Sequence, residues 1–73
     1  MTQDLHTGSL IAKKLREKER TVSWFANKLC CSRNNIYKIF QKPHIDTELL
    51  LRISIILDFD FFSSYSDYLK KLK

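Results

Sequence analysis

The chain has 73 residues with a single Gly and a single Pro, which excludes a β-sandwich or barrel, since those folds need many tight turns. Its 44% apolar and 12% aromatic content suffices for one domain with one modest core. The formal net charge of +5 is unevenly spread: residues 10–43 hold nine basic against two acidic side chains, residues 44–68 hold one against five, and residues 69–73 are basic again. A basic half beside an acidic half turns a positive surface toward a polyanion. The most apolar run, residues 49–57, is interrupted by Arg52 and falls far short of the ~20 apolar residues of a spanning helix. With no signal peptide visible, a cytoplasmic protein with no membrane contact is expected.

Residues 1–8 are polar and include Gly8, so they read as a flexible polar arm. Ser9 then stands as the cap of a first helix over residues 10–18, with Leu10, Ile11 and Leu15 inward and Lys13, Lys14 and Lys18 outward. Thr21 caps a second helix over residues 22–29, in which Val22, Phe25, Ala26 and Leu29 fall on one face. Trp24, beside that stripe, reads as a half-buried packing residue rather than a stacking platform. Cys30 and Cys31 form a short turn, and Ser32 opens a third helix.

In the third helix Ile36, Ile39 and Phe40 share one side, and Arg33, Asn34, Tyr37, Lys38 and Gln41 occupy the other. A merely solvated face would be better served by Lys, Glu and Ala, which form helix more readily than Asn and Tyr. The choice points to a face that reads something. Pro43 stops this helix, and Asp46 caps a fourth that buries Leu49, Leu50, Ile53, Ile56 and Leu57. Leu51 and Ile55 form a separate apolar pair on it that needs another partner. Asp60 caps a fifth helical segment with Phe61, Phe62, Tyr65, Tyr68, Leu69 and Leu72 at helical spacing and a basic end at Lys70, Lys71 and Lys73. The whole predicts an all-α bundle of about five short helices.

Adjacent Cys30 and Cys31 are poorly placed to bridge each other, and with His6 and His44 they match no common zinc spacing. Thiols in a reducing compartment are the simpler reading. No Gly-rich phosphate loop and no nucleophile with an evident base appear, so neither a catalytic site, a metal nor a cofactor is expected.

Two short helices, a turn and a polar-faced third helix make a helix-turn-helix. Phe25-Ala26, Ser32, Ile36 and Ile39, followed by Asp46, Leu50, Ile53, Leu57 and Phe59, give residues 9–62 a spacing that resembles the Cro/repressor-like family of the xenobiotic-response-element type. That family usually has Gly where Cys30 stands, because the turn often takes a positive φ. It also tends to close the third helix with an acidic residue and Gly, where this chain has Phe40 and Lys42.

The resemblance implies a sequence-specific binder of double-stranded DNA, a small prokaryotic or phage-type transcriptional regulator. Arg33, Asn34, Tyr37 and Lys38 would meet base edges: Arg suits guanine, Asn suits adenine, and Lys reaches guanine or phosphate. Thr21, Ser23, Ser32, Gln41, Lys42, His44 and Thr47 would contact the DNA backbone, helped by the second helix's N-terminus. Leu51, Ile55, Phe61, Phe62 and Tyr65 would join two copies into a homodimer, residues 63–73 forming an amphipathic dimer or partner segment. Two rivals remain open: a protein-interaction module or antitoxin of the same fold using its C-terminal aromatics, and an RNA binder using Trp24, Tyr37 and the lysines.

Overall fold

The computed structural model describes residues 5–72, which form five helices and, among the described residues, no strand: α1 Thr7–Glu17, α2 Val22–Leu29, α3 Arg33–Gln41, α4 Thr47–Leu57 and α5 Phe61–Leu72. The fold is therefore an all-α bundle. Its helix starts are fixed by short side chains that accept otherwise orphaned backbone N–H groups. Thr21 Oγ1 accepts from Trp24 N–H at 3.0 Å, Ser32 Oγ from Asn35 N–H at 3.2 Å, and Asp46 Oδ1 from Leu49 N–H at 2.8 Å. Asp60 Oδ1 accepts from both Phe62 and Ser63 N–H, at 3.0 and 3.2 Å.

The core gathers Ile11 and Leu15 from α1, Phe25, Ala26 and Leu29 from α2, Ile36 and Ile39 from α3, Leu50, Ile53 and Leu57 from α4, and Phe61 from α5. Phe25, Phe61, Ile11, Ile36 and Ile53 are entirely sealed from water, and burying each such side chain favours the folded chain by about 1.5–3 kcal/mol. Leu10, Val22, Leu49 and Ile56, expected inside, lie half-buried at its margin, as does Trp24.

The start of α1 differs from the expectation. Residues 1–4 of the anticipated arm lie outside the described residues, but Thr7 and Gly8 are helical and buried. His6 rather than Ser9 is the cap, its Nδ1 accepting Ser9 N–H at 3.0 Å. The cause lies elsewhere in the chain: Thr7 N–H donates to Pro43 O at 3.1 Å and Gly8 N–H to Lys42 O at 2.9 Å. A Cβ on Gly8 would stand 2.4–2.6 Å from the carbonyl oxygens of Ile39, Phe40 and Lys42. The one glycine thus lets the start of α1 seat directly on the end of α3.

Turns that ordinarily use glycine here do without it. Cys30 ends α2 at φ 58° and ψ 45°, with its N–H donating to Asn27 O and Cys31 N–H to Ala26 O. Glu19 and Asp58, just past α1 and α4, also take the left-handed conformation, at φ 58° and 51°. The positive φ that the resembled family usually gives to glycine at this turn is taken here by Cys30, with a side chain attached.

The expected surface role of α5 needs correction. Phe61 is fully buried and packs edge-on against Phe59 with ring centroids 4.8 Å apart, so it belongs to the core and not to an exposed dimer surface. Tyr65 hydrogen-bonds through its hydroxyl to that of buried Thr7, drawing the first half of α5 back toward α1. Leu51 and Ile55 do stay exposed, and so do Leu69 and Leu72 near the end of α5.

Candidate functional site

α3 exists because its two faces differ. Ile36 and Ile39 anchor it in the core, Ser32 caps its start, and Lys42 leaves it in an extended conformation just ahead of Pro43. The opposite face presents Arg33, Asn34, Tyr37, Lys38 and Gln41, all exposed. Tyr37 is half exposed, and its ring meets Phe40 edge-on with centroids 6.2 Å apart. Ser23, Lys42, His44 and Thr47 are also exposed, whereas the hydroxyls of Thr21 and Ser32 are already engaged as caps.

The cations divide into two groups by what holds them. Lys14 reaches Glu17 Oε1 at 2.7 Å and lies 4.1 Å from the centre of the Phe59 ring. That hydrogen bond and charge hold the Glu17 carboxyl below its ordinary pKa. Arg20 and Lys28 lie over the Trp24 ring at 4.7 and 5.8 Å, and Lys18 reaches Asp58 O at 3.4 Å. Such contacts fix a cation's stem and charge along the body of the protein. The side chains of Arg16, Arg33, Lys38, Lys42, Arg52, Lys70 and Lys71 make no ion pair, hydrogen bond or ring contact among the described residues. They remain available to something outside the chain.

Two grooves flank α3. On one side, about 310 Å³ is enclosed by Ala12, Leu15, Arg16, Arg20, Val22, Tyr37 and Phe40. On the other, about 310 Å³ is enclosed by Leu29, Cys31, Asn35, Lys38, Ile39, Lys42, Leu49 and Arg52. Basic side chains line both, and no acidic one lines either.

Tyr37 and Lys38 therefore belong at once to the expected reading face and to its flanking grooves. Arg16, Arg20, Asn35 and Arg52 were not anticipated as site residues. Arg52 carried a visible signal, a lone cation in an apolar run, whereas Arg16 stands in the last turn of α1 and Arg20 in the connection beyond it. Their convergence with α3 depends on packing between helices that no local pattern encodes.

Asp58 and Asp60 border an open groove of about 350 Å³ with Leu51, Ser54, Ile55, Phe59 and Phe62. Compared with protein-family models, curated protein sequences and solved structures, the chain has no match.

Proposed function

We propose that this protein binds double-stranded DNA sequence-specifically, as a small transcriptional regulator that inserts α3 into the major groove. The observation that carries the reading is the face of α3 itself: Arg33, Asn34, Tyr37, Lys38 and Gln41 are all exposed on one short helix. Forked Arg and Asn side chains discriminate guanine and adenine by paired hydrogen bonds, so this face has the chemistry to tell base pairs apart. The basic grooves beside α3 suit the phosphates of the two strands that border a major groove.

Two copies would act together, because one such helix offers few base contacts and symmetric half-sites double them. Leu51 and Ile55, 52% and 71% exposed, supply an apolar surface that the core leaves unused. The acidic margin at Asp58 and Asp60 would keep this end away from the duplex.

Selection from a random duplex library at stated salt tests the reading. Enrichment of a defined motif, with much weaker retention of scrambled duplex, is the expected result. Flat enrichment together with tight RNA binding would overturn it.

A further inference from the structure

We infer that the groove between α3 and α4 is a binding site for a small amphipathic organic anion, one carboxylate or phosphate head on a short apolar body. The inference does not rest on DNA binding. Its first ground is the pairing of two chemistries in one groove. Leu29, Cys31, Ile39 and Leu49 supply apolar surface, while Asn35, Lys38, Lys42 and Arg52 supply donors. A bare phosphate needs the donors but gains nothing from the apolar side chains. A purely apolar ligand would leave three cations facing it unpaired.

The second ground is that the groove's cations are unspent. The side chains of Lys14, Lys18, Arg20 and Lys28 each have a partner within the protein, whereas those of Lys38, Lys42 and Arg52, like those of Arg16 and Arg33 outside the groove, have none among the described residues. Three like charges lining one cleft repel each other and attract a counter-charge, which a bound anion would provide. The third ground is Leu49. It lies half-buried on α4 beside fully buried Leu50 and lines the groove, so part of its apolar surface is left for a ligand.

Size then narrows the class. A volume of about 310 Å³ is at the lower end of small-ligand sites and holds about ten water-sized atoms. That suits a medium-chain carboxylate or its phosphate counterpart. Because Lys38 belongs to both the groove and the exposed face of α3, a bound anion would also compete for a side chain that the proposed DNA contact uses.

Octanoate, which has a carboxylate and an apolar body of the right size, is the probe. It would be titrated into the full chain while backbone amide resonances are followed, with acetate and octanol as controls lacking the body and the charge. Saturable shifts at Asn35, Ile39, Leu49 and Arg52 are expected, with octanoate at least about tenfold tighter than either control. Arg52→Gln removes one charged hydrogen bond and should weaken octanoate about tenfold. Arg52 is exposed, so the variant should keep the wild-type spectrum elsewhere.

Octanol binding as tightly as octanoate would overturn the inference. So would shifts confined to Leu51, Ile55 and Leu69, which would mark mere adsorption to exposed apolar surface. A third adverse result is no saturable octanoate binding with Arg52→Gln lowering only the salt dependence of duplex binding. The groove would then serve duplex phosphates alone and hold no small anion. Failure of the duplex selection, by contrast, would remove the DNA reading and leave the octanoate result standing.

Discussion

Cys30, Glu19 and Asp58 hold φ between 51° and 58°, where a Cβ crowds the neighbouring carbonyl at a cost of about 1–2 kcal/mol. Glycine avoids that crowding but loses more freedom on folding, by about 0.5–1 kcal/mol, so the net gain from substitution is a fraction of the strain. Cys30→Gly and Glu19→Gly should each raise stability by about 0.5–1 kcal/mol, and Asp58→Gly by less because Asp tolerates this conformation better. Both larger gains should add, since the turns are separate, and urea unfolding measures them directly. A loss of stability in Cys30→Gly would show that the exposed thiol makes a contact worth more than the strain. Gly8 obeys the opposite logic. Its φ is ordinary for a helix, but Gly8→Ala would drive a methyl into three carbonyl oxygens and should cost about 2–3 kcal/mol in the same assay. On α3, Arg33→Ala and Asn34→Ala should each cost about 1–3 kcal/mol on the preferred duplex and relax base choice at one position. Lys42→Ala should instead weaken every duplex alike and lower the salt slope by about one unit. Equal losses on preferred and random DNA would reassign Arg33 to phosphate.

At the level of helices, what could be read from sequence was what local chemistry decides. Thr21, Ser32, Asp46 and Asp60 each cap the expected helix, because a hydroxyl or carboxylate two or three residues ahead of a free N–H acts within one turn. The two faces of α3 were legible for the same reason, since Ile36 and Ile39 follow helical spacing. The start of α1 was not. Thr7 and Gly8 find their acceptors at Pro43 and Lys42, more than thirty residues away, and a polar stretch with glycine otherwise looks like a loop. Phe61 was misplaced because aromatic residues at helical spacing look alike whether they enter a core or cover one. The grooves beside α3 were invisible because their residues come from three or more segments. α5 offers a direct check of this long-range wiring. Tyr65→Phe deletes the hydroxyl that meets Thr7 and leaves a buried polar group without its partner, so it should cost about 1–2 kcal/mol. The loss should fall first on hydrogen-exchange protection in α5 and at the start of α1, and unchanged protection there would mean that α5 docks through Phe61 alone.

On the scale of the whole molecule, the grooves beside α3 and the groove of Leu51 and Ile55 are lined by different residues, with Lys14 and Lys18 reaching Phe59 and Asp58 between them. The basic side chains line the grooves beside α3, and Asp58 and Asp60 border the groove that holds Leu51 and Ile55. Leu69 and Leu72, 54% and 52% exposed, add apolar surface on α5. A chain with a single α3 can enter only one of two successive major grooves, which lie about 34 Å apart along the duplex. Pairing as proposed, through the surface of Leu51 and Ile55, would leave one α3 free on each copy. Ile55→Glu should therefore give a monomer by sedimentation at concentrations where the wild type is dimeric, and should weaken a palindromic site far more than one half-site. Helix content should be unchanged, because Ile55 is 71% exposed and makes no demand on the core. Phe61→Ala is the informative contrast. Phe61 is fully buried, so its truncation should cost about 3–5 kcal/mol of folding stability rather than act on association alone. If wild type stays monomeric at high micromolar concentration, with and without a palindromic duplex, the paired arrangement is excluded and each copy would read a half-site alone.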